Sequence, residues 1–370
     1  MNIYQIIGLV FAAIALLTLV VNVIENASRK GALLSELPAT QALITLSRIM
    51  VGILFFYSGF VKANDYIGFA YKLEEYFTVF GEHFSPLKGF FDIFVPLAEP
   101  MAWFISVFEI ALAVAILLGW KMRLTMWLSV IMMVFFTILT AYSHVTGAVT
   151  DCGCFGDALK ITPFESFMKD IILLLIIAPI FRYRNSIKAF PTQLSAGLLT
   201  GVTFLLAGIF SYYCHENLPV IDYRAYKEGV SLPVCTTEPG PDGIPKCKDW
   251  YISFMGSEKV DPFVGNVLLM IAYDMTKADE GSLLQTATLY DELEGSDIQV
   301  LGLTATGPSS LEPFQEKYRL KYPFGFMDET VLKTIIRANP GFVLLKDGII
   351  LKKWHHNNQP NIVALEKSLN

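Results

Sequence analysis

Two cysteines stand one glycine apart in the heptapeptide Asp151-Cys152-Gly153-Cys154-Phe155-Gly156-Asp157. A pair of thiols can trade two electrons with another pair when the bond between them is easily made and broken. A bridge spanning a single residue closes a very small, strained ring, and strained bridges are the more oxidising ones. Gly153 supplies the backbone freedom that such a ring needs. His144 upstream would lower a thiol pKa when protonated, whereas Asp151 and Asp157 would oppose that. The same two residues also suit a structural role, reduced or permanently bridged. With His144 they could hold a metal, although no standard ligand spacing is present, and no metal site is assigned.

Three further cysteines follow. Cys235 and Cys247 flank a Pro/Gly-rich stretch, and a structural disulfide there would contribute about 2–4 kcal/mol. Cys214 is the odd thiol. It either resolves a mixed disulfide with Cys152 or Cys154, or is buried as a small apolar side chain. Two ionisable residues fall within apolar runs, where an isolated charge is costly. Arg48 lies near a segment end and can snorkel. Glu109 lies mid-segment and must face other helices, paired or protonated, as a proton relay or as an interhelical hydrogen bond. Lys62 and Lys169, at segment ends, read as interfacial anchors. His355 and His356 are neighbours on an expected strand, point to opposite faces, and read as surface residues.

What must position these residues is mostly apolar chain. Of 370 residues 54% are hydrophobic and 17% charged, against about a quarter charged in a soluble protein. The deficit is concentrated before about residue 214. A helix needs roughly 20 apolar residues to cross a bilayer, and the segments 4–24, 42–61, 94–119, 123–143, 164–181 and 194–213 meet or approach that. Basic residues recur after the first (Arg29, Lys30), between the third and fourth (Lys121, Arg123), and after the fifth (Arg182, Arg184, Lys188). These alternate loops are therefore cytoplasmic. All five cysteines then lie on the outer side, together with the N-terminus and the tail, where disulfides persist. The loop 62–93 is expected to lie along the membrane surface. A net charge of −6 argues against a nucleic-acid partner.

The tail reads as a short α/β domain in the order β-α-β-α-β-β-α, with Ser309 as a helix N-cap. Lys346-Asp347-Gly348 marks a hairpin turn. The expected division is 1–30, a first helix and loop; 31–190, a four-helix bundle carrying the dicysteine; 191–215, a sixth helix; 216–262, a linker; and 263–370, the soluble domain.

Two stretches carry resemblances. Arg48 before Gly52-Ile53-Leu54-Phe55-Phe56-Tyr57-Ser58-Gly59, Glu109 before Leu117-Leu118-Gly119, and Asp151-Cys152-Gly153-Cys154-Phe155-Gly156 together resemble the DoxX/MauE family of redox-associated membrane proteins. That resemblance implies an antiparallel four-helix core in the bacterial inner membrane, with thiol-disulfide or quinone-linked electron transfer on its outer face. The tail resembles a TlpA-like thioredoxin domain, through Asn339-Pro340-Gly341-Phe342-Val343-Leu344-Leu345 followed by Asp347-Gly348. Pro340 then corresponds to that family's cis-proline. The family's Cys-x-x-Cys is missing, because Tyr273-Asp274-Met275-Thr276-Lys277-Ala278-Asp279 occupies its place. The implied role is a thiol-disulfide component that docks an envelope client beside Tyr273, Asp274 and Pro340, with quinone as a candidate acceptor. The rival is a non-catalytic adaptor whose tail only binds partners. Ion-coupled transport rests on Glu109 alone.

Overall fold

The computed structural model describes residues 3–28, 37–149, 153, 155–159, 161–240, 243–254 and 260–369. Asp151, Cys152 and Cys154 lie outside the described residues. The chain divides into two compact units, residues 1–212 and 213–370.

The first unit is helical: α1 (Ile3–Ser28), α2 (Pro38–Asn64), α3 (Tyr66–His83), α4 (Lys88–Phe94), α5 (Ala98–Leu118), α6 (Met122–Thr146), α7 (Pro163–Arg182) and α8 (Gln193–Asn217), the last running on into the second unit. Five of these (α1, α2, α5, α6 and α8) are long and apolar enough to cross a membrane, and the protein is a membrane protein. Helix α7 carries Glu165, Lys169 and Asp170 in its first turns, yet buries Leu173, Ile176, Ile177 and Ile180 in the same core as α2 and α6. Its start is set by a full capping box, with Thr162 and Glu165 exchanging hydrogen bonds around Pro163.

Helices α2 and α5 approach closely at Gly59, where a Cβ would stand 3.0 Å from the Ile110 nitrogen and 3.1 Å from the Ser106 carbonyl oxygen. Only glycine permits that spacing. Arg48 does not end in solvent: its guanidinium donates to the carbonyls of Ile116 (3.0 Å) and Leu117 (3.2 Å) in the last turn of α5.

The loop 62–93 is largely helix, in α3 and α4. Capped by Asp65, whose carboxylate accepts from the Gly68 N–H (3.0 Å), α3 buries Phe69, Leu73, Tyr76 and Phe77 in the bundle core. Of the aromatic residues that suggested an interfacial segment, Tyr76 and Phe77 are core residues, whereas Phe84 and Phe90 are exposed. The expected 94–119 helix is α5, which begins at Ala98 after a turn at 95–97 that follows α4.

The second unit is a six-stranded mixed sheet in the order β1-β4-β3-β2-β5-β6. Its strands are β1 (Ser253–Phe254), β2 (Asn266–Ile271), β3 (Ile298–Thr304), β4 (Phe324–Phe326), β5 (Gly341–Lys346) and β6 (Ile349–His355). Strands β2, β3 and β4 run parallel, and β5 and β6 antiparallel to their neighbours. Because side chains alternate along a strand, Leu268, Met270, Phe342 and Leu344 pack under α10 (Glu280–Glu292), α11 (Pro308–Tyr318) and α13 (Ile362–Leu369). Val267, Leu269, Ile271, Val343 and Leu345 face α12 (Glu329–Ile335) on the other side, together with Tyr226, Leu232 and Cys247.

The stretch read as a linker thus packs as part of this domain, aided by the short helix α9 (Leu232–Thr237) and a Cys235–Cys247 disulfide. It also carries a buried charge cluster, in which Asp222 pairs with Arg224 (2.8 Å) and with Lys353 on β6 (2.8 Å). Gly307, not Ser309, is the N-cap residue of α11, with Pro308 in the first turn.

Candidate functional site

Buried polar side chains in the helical unit collect where α2, α3, α5, α6 and α7 meet. Lys62, expected at an interface, is instead 2% exposed. Its ammonium donates to Glu109 on α5 (2.7 Å) and to Ser58 one turn earlier on α2 (2.6 Å). The aromatic faces of Phe136 and Phe69 lie 4.9 and 5.7 Å from it, favourable for a cation. Glu109 is therefore paired, as its mid-helix position required.

A second acid, Asp170 on α7, is completely buried. It accepts from the Thr140 hydroxyl on α6 (2.9 Å) through one oxygen. The other lies 2.8 Å from the Lys169 ammonium, an ion pair without hydrogen-bond geometry. Nearby on α3 and α6, the Tyr76 and Ser143 hydroxyls share a 2.6 Å hydrogen bond.

The described parts of the cysteine loop rest on these helices. A Cβ at Gly153 would stand 3.1 Å from the Lys72 side chain and 3.8 Å from the Phe69 ring. Phe155 is buried, its ring centre 6.0 Å from that of Tyr57 and 5.1 Å from the Lys169 ammonium. A Cβ at Gly156 would contact Val61, the neighbour of Lys62 (3.5 Å). One aromatic ring, Phe69, therefore contacts both the glycine between the two cysteines and the buried ammonium. His144 packs against Phe164 and Phe167.

Residues 40–182 match the family described as methylamine utilisation protein MauE. The matched region runs from α2 to the end of α7 and so contains Lys62, Glu109, Asp170 and the cysteine loop. No curated protein and no solved structure matches the chain.

In the second unit, the turn after β2 and the segment before β5 are joined. The Asn339 amide donates to the Asp274 carbonyl (2.7 Å), and the Asp279 N–H donates to the Asn339 carbonyl (2.9 Å). The Asn339–Pro340 peptide is cis. Pro340 is buried, and Tyr273 and Asp274 are half-buried. The Asp274 carboxyl is held below its ordinary range: burial raises it, but hydrogen bonds from Thr276 and the Lys277 charge more than offset that.

His355 is not a surface residue, and His356 is half-buried. His355 is 4% exposed, and the two rings lie 4.0 Å apart. Burial, then the neighbouring His356 and His215, push the His355 imidazole down to about 3, so it is neutral and accepts from the Asn357 N–H. Cys214, in the last turn of α8, is also buried.

The Lys62–Glu109 pairing was missed because the two residues are 47 positions apart. A signal was available. A mid-helix acid demands a cation, and Ser58 and Lys62, four residues apart, share one helix face.

Proposed function

We propose that the protein is a membrane-bound component of an envelope thiol-disulfide redox system, with Cys152 and Cys154 as the exchanging pair. The observation that carries this reading is the placement of Gly153 against Phe69, a ring that also faces the ammonium of the buried Lys62–Glu109 ion pair. The match of residues 40–182 to a methylamine-utilisation family supports a role in electron transfer.

In the proposed step a client dithiol attacks the Cys152–Cys154 disulfide. The client loses two electrons and two protons and becomes a disulfide, and the pair becomes a dithiol. Returning the pair to its oxidised form needs an acceptor for two electrons and two protons. A quinone would supply that, and the donor set suits one: Lys62 and Ser58 are donors to a carbonyl oxygen, while Phe69 and Phe136 offer ring faces. Glu109 and Lys62 would hold and pass the protons. The alternating basic loops support a six-helix topology, with α7 as the fifth span, α8 as the sixth and the cysteines facing the periplasm.

The second unit is proposed as a thioredoxin-like docking module. Its β4-β3-β2-β5-β6 order and the junction of Asp274 with Asn339 support that fold. With no thiol at 273–279 it would bind clients without exchanging with them. That absence equally favours a second reading, a non-catalytic adaptor.

Both are separated by trapping thiols in intact cells with a maleimide and assigning each cysteine by mass spectrometry. The redox reading expects Cys152 and Cys154 to shift together between bridged and free forms as the respiratory quinone pool is oxidised or reduced. It also expects Cys152→Ser or Cys154→Ser to leave a client's thiols reduced. Unchanged client thiols in both variants would reject it in favour of the adaptor.

A further inference from the structure

A second site lies in the helical unit, among the basic turns. A cavity of about 560 Å³ opens there, lined by Lys121, Arg123, Leu124, Trp127, Arg184 and Gln193 among others. The two turns that build it, 119–124 and 182–193, contain Lys121, Arg123, Arg182, Arg184 and Lys188 and no acidic residue.

Arg184 is fixed rather than loose. Its guanidinium lies 4.0 Å over the Phe181 ring, Nη1 donates to the Phe181 carbonyl (2.6 Å), and the buried Nε has no hydrogen-bond partner among the described residues. Phe181 in turn stacks edge-on with Trp127 at 4.9 Å. The cavity therefore has cations on its wall and an aromatic floor.

An exposed apolar seam leads away from that floor. Leu124, Trp127, Ile131, Val134 and Ile138 are each 43–61% exposed. They recur at three- and four-residue spacing, so they form one stripe along α6. From Leu124 to Ile138 the stripe rises about 21 Å, at ~1.5 Å per residue. One leaflet of the hydrocarbon core is about 15 Å deep, so an acyl chain lying on this stripe stays beside α6 through its whole leaflet.

We propose that this is a binding site for an anionic phospholipid. Its phosphate is taken by Arg123, Arg184 and Lys121, and an acyl chain follows Leu124, Trp127 and Ile131. A soluble phosphate compound would use the cations alone and has no use for the seam.

The test uses the full chain, purified and delipidated, in nanodiscs of phosphatidylcholine containing graded phosphatidylglycerol brominated in its acyl chains. Quenching of the Trp127 contribution, defined by Trp127→Phe, reads the occupancy. Wild type should enrich phosphatidylglycerol over brominated phosphatidylcholine at this site. Arg123→Gln with Arg184→Gln should weaken that preference roughly thirtyfold, at about fivefold for each surface cation. Equal quenching by the two lipids in wild type overturns the proposal, and needs no variant. So does a preference that survives the double substitution. Inorganic phosphate that abolishes the preference at low millimolar concentration would assign the site to a soluble anion instead, and likewise overturn it.

Discussion

Removing one partner of the Lys62–Glu109 pair should damage the protein far more than removing both. At 2.7 Å and an effective dielectric of about 20, the gross attraction is about 6 kcal/mol. Withdrawing each ion from water costs several kcal/mol, so most of the attraction is consumed in burying the pair, and its net contribution is small. In Glu109→Gln the ammonium stays buried and keeps Ser58 and the two aromatic faces, but it loses its only charge-neutralising contact among the described residues. The expected loss is about 3–5 kcal/mol. Lys62→Met strands the carboxylate and should cost a similar amount. The double variant Lys62→Met with Glu109→Gln leaves neither charge and should recover most of that loss. The assay is reversible unfolding of the full chain in mixed micelles, followed by the loss of helical circular dichroism. Additive losses in the double variant would refute the reasoning, because they would mean that the two groups do not neutralise one another. A pair that serves redox chemistry adds a second signature: the double variant should be stable yet fail to recycle Cys152 and Cys154.

Further outcomes concern both units. Burial, then the Arg224 charge, hold the Lys353 ammonium down to about 7, although Asp222 pulls it the other way. The unfolded chain therefore binds more protons between pH 7 and about 10, and the domain should gain up to about 1.4 kcal/mol per pH unit there. Urea titrations read by tryptophan fluorescence should show that slope, and Lys353→Met should flatten it. Replacing Cys235 by Ser opens a loop closed across 12 positions and should cost about 3 kcal/mol, seen as a lower urea midpoint that reductant lowers no further. Gly59→Val would force the α2 and α5 backbones apart at Ile110 and Ser106. We expect a loss of about 1–3 kcal/mol or more in thermal melts, with Gly8→Val as a control at a position open to its surroundings.

Much of this architecture could be read along the chain, because hydrophobic runs and local caps are local information. The apolar segments became α1, α2, α5, α6 and α8, the Asp347-Gly348 turn joins β5 to β6, and Cys235 and Cys247 stand at the ends of one loop. What stayed hidden depended on distant partners. Lys62 looked like an anchor because it ends an apolar run, and only α5 crossing at Gly59 brings Glu109 to it. The helix α3 looked interfacial because its aromatic residues are interleaved with charges, and only the bundle decides which side they bury. His355 and His356 looked exposed because strand alternation places one of the two outward. The turn after β6 instead folds the second ring back against the first.

The segment between α8 and α9 also closes one edge of the sheet. The Gly229 N–H donates to Ile350, the Ile350 N–H to Val230, and Ser231 bridges to Ile349, all along the outer side of β6. An open strand there would be a template for self-association. Proteins confined to a surface meet one another far more often than they would in bulk, so an uncapped edge would zip neighbouring heads into ladders. By laying its own tether against that edge, the chain can be packed densely in a membrane while each head remains separate.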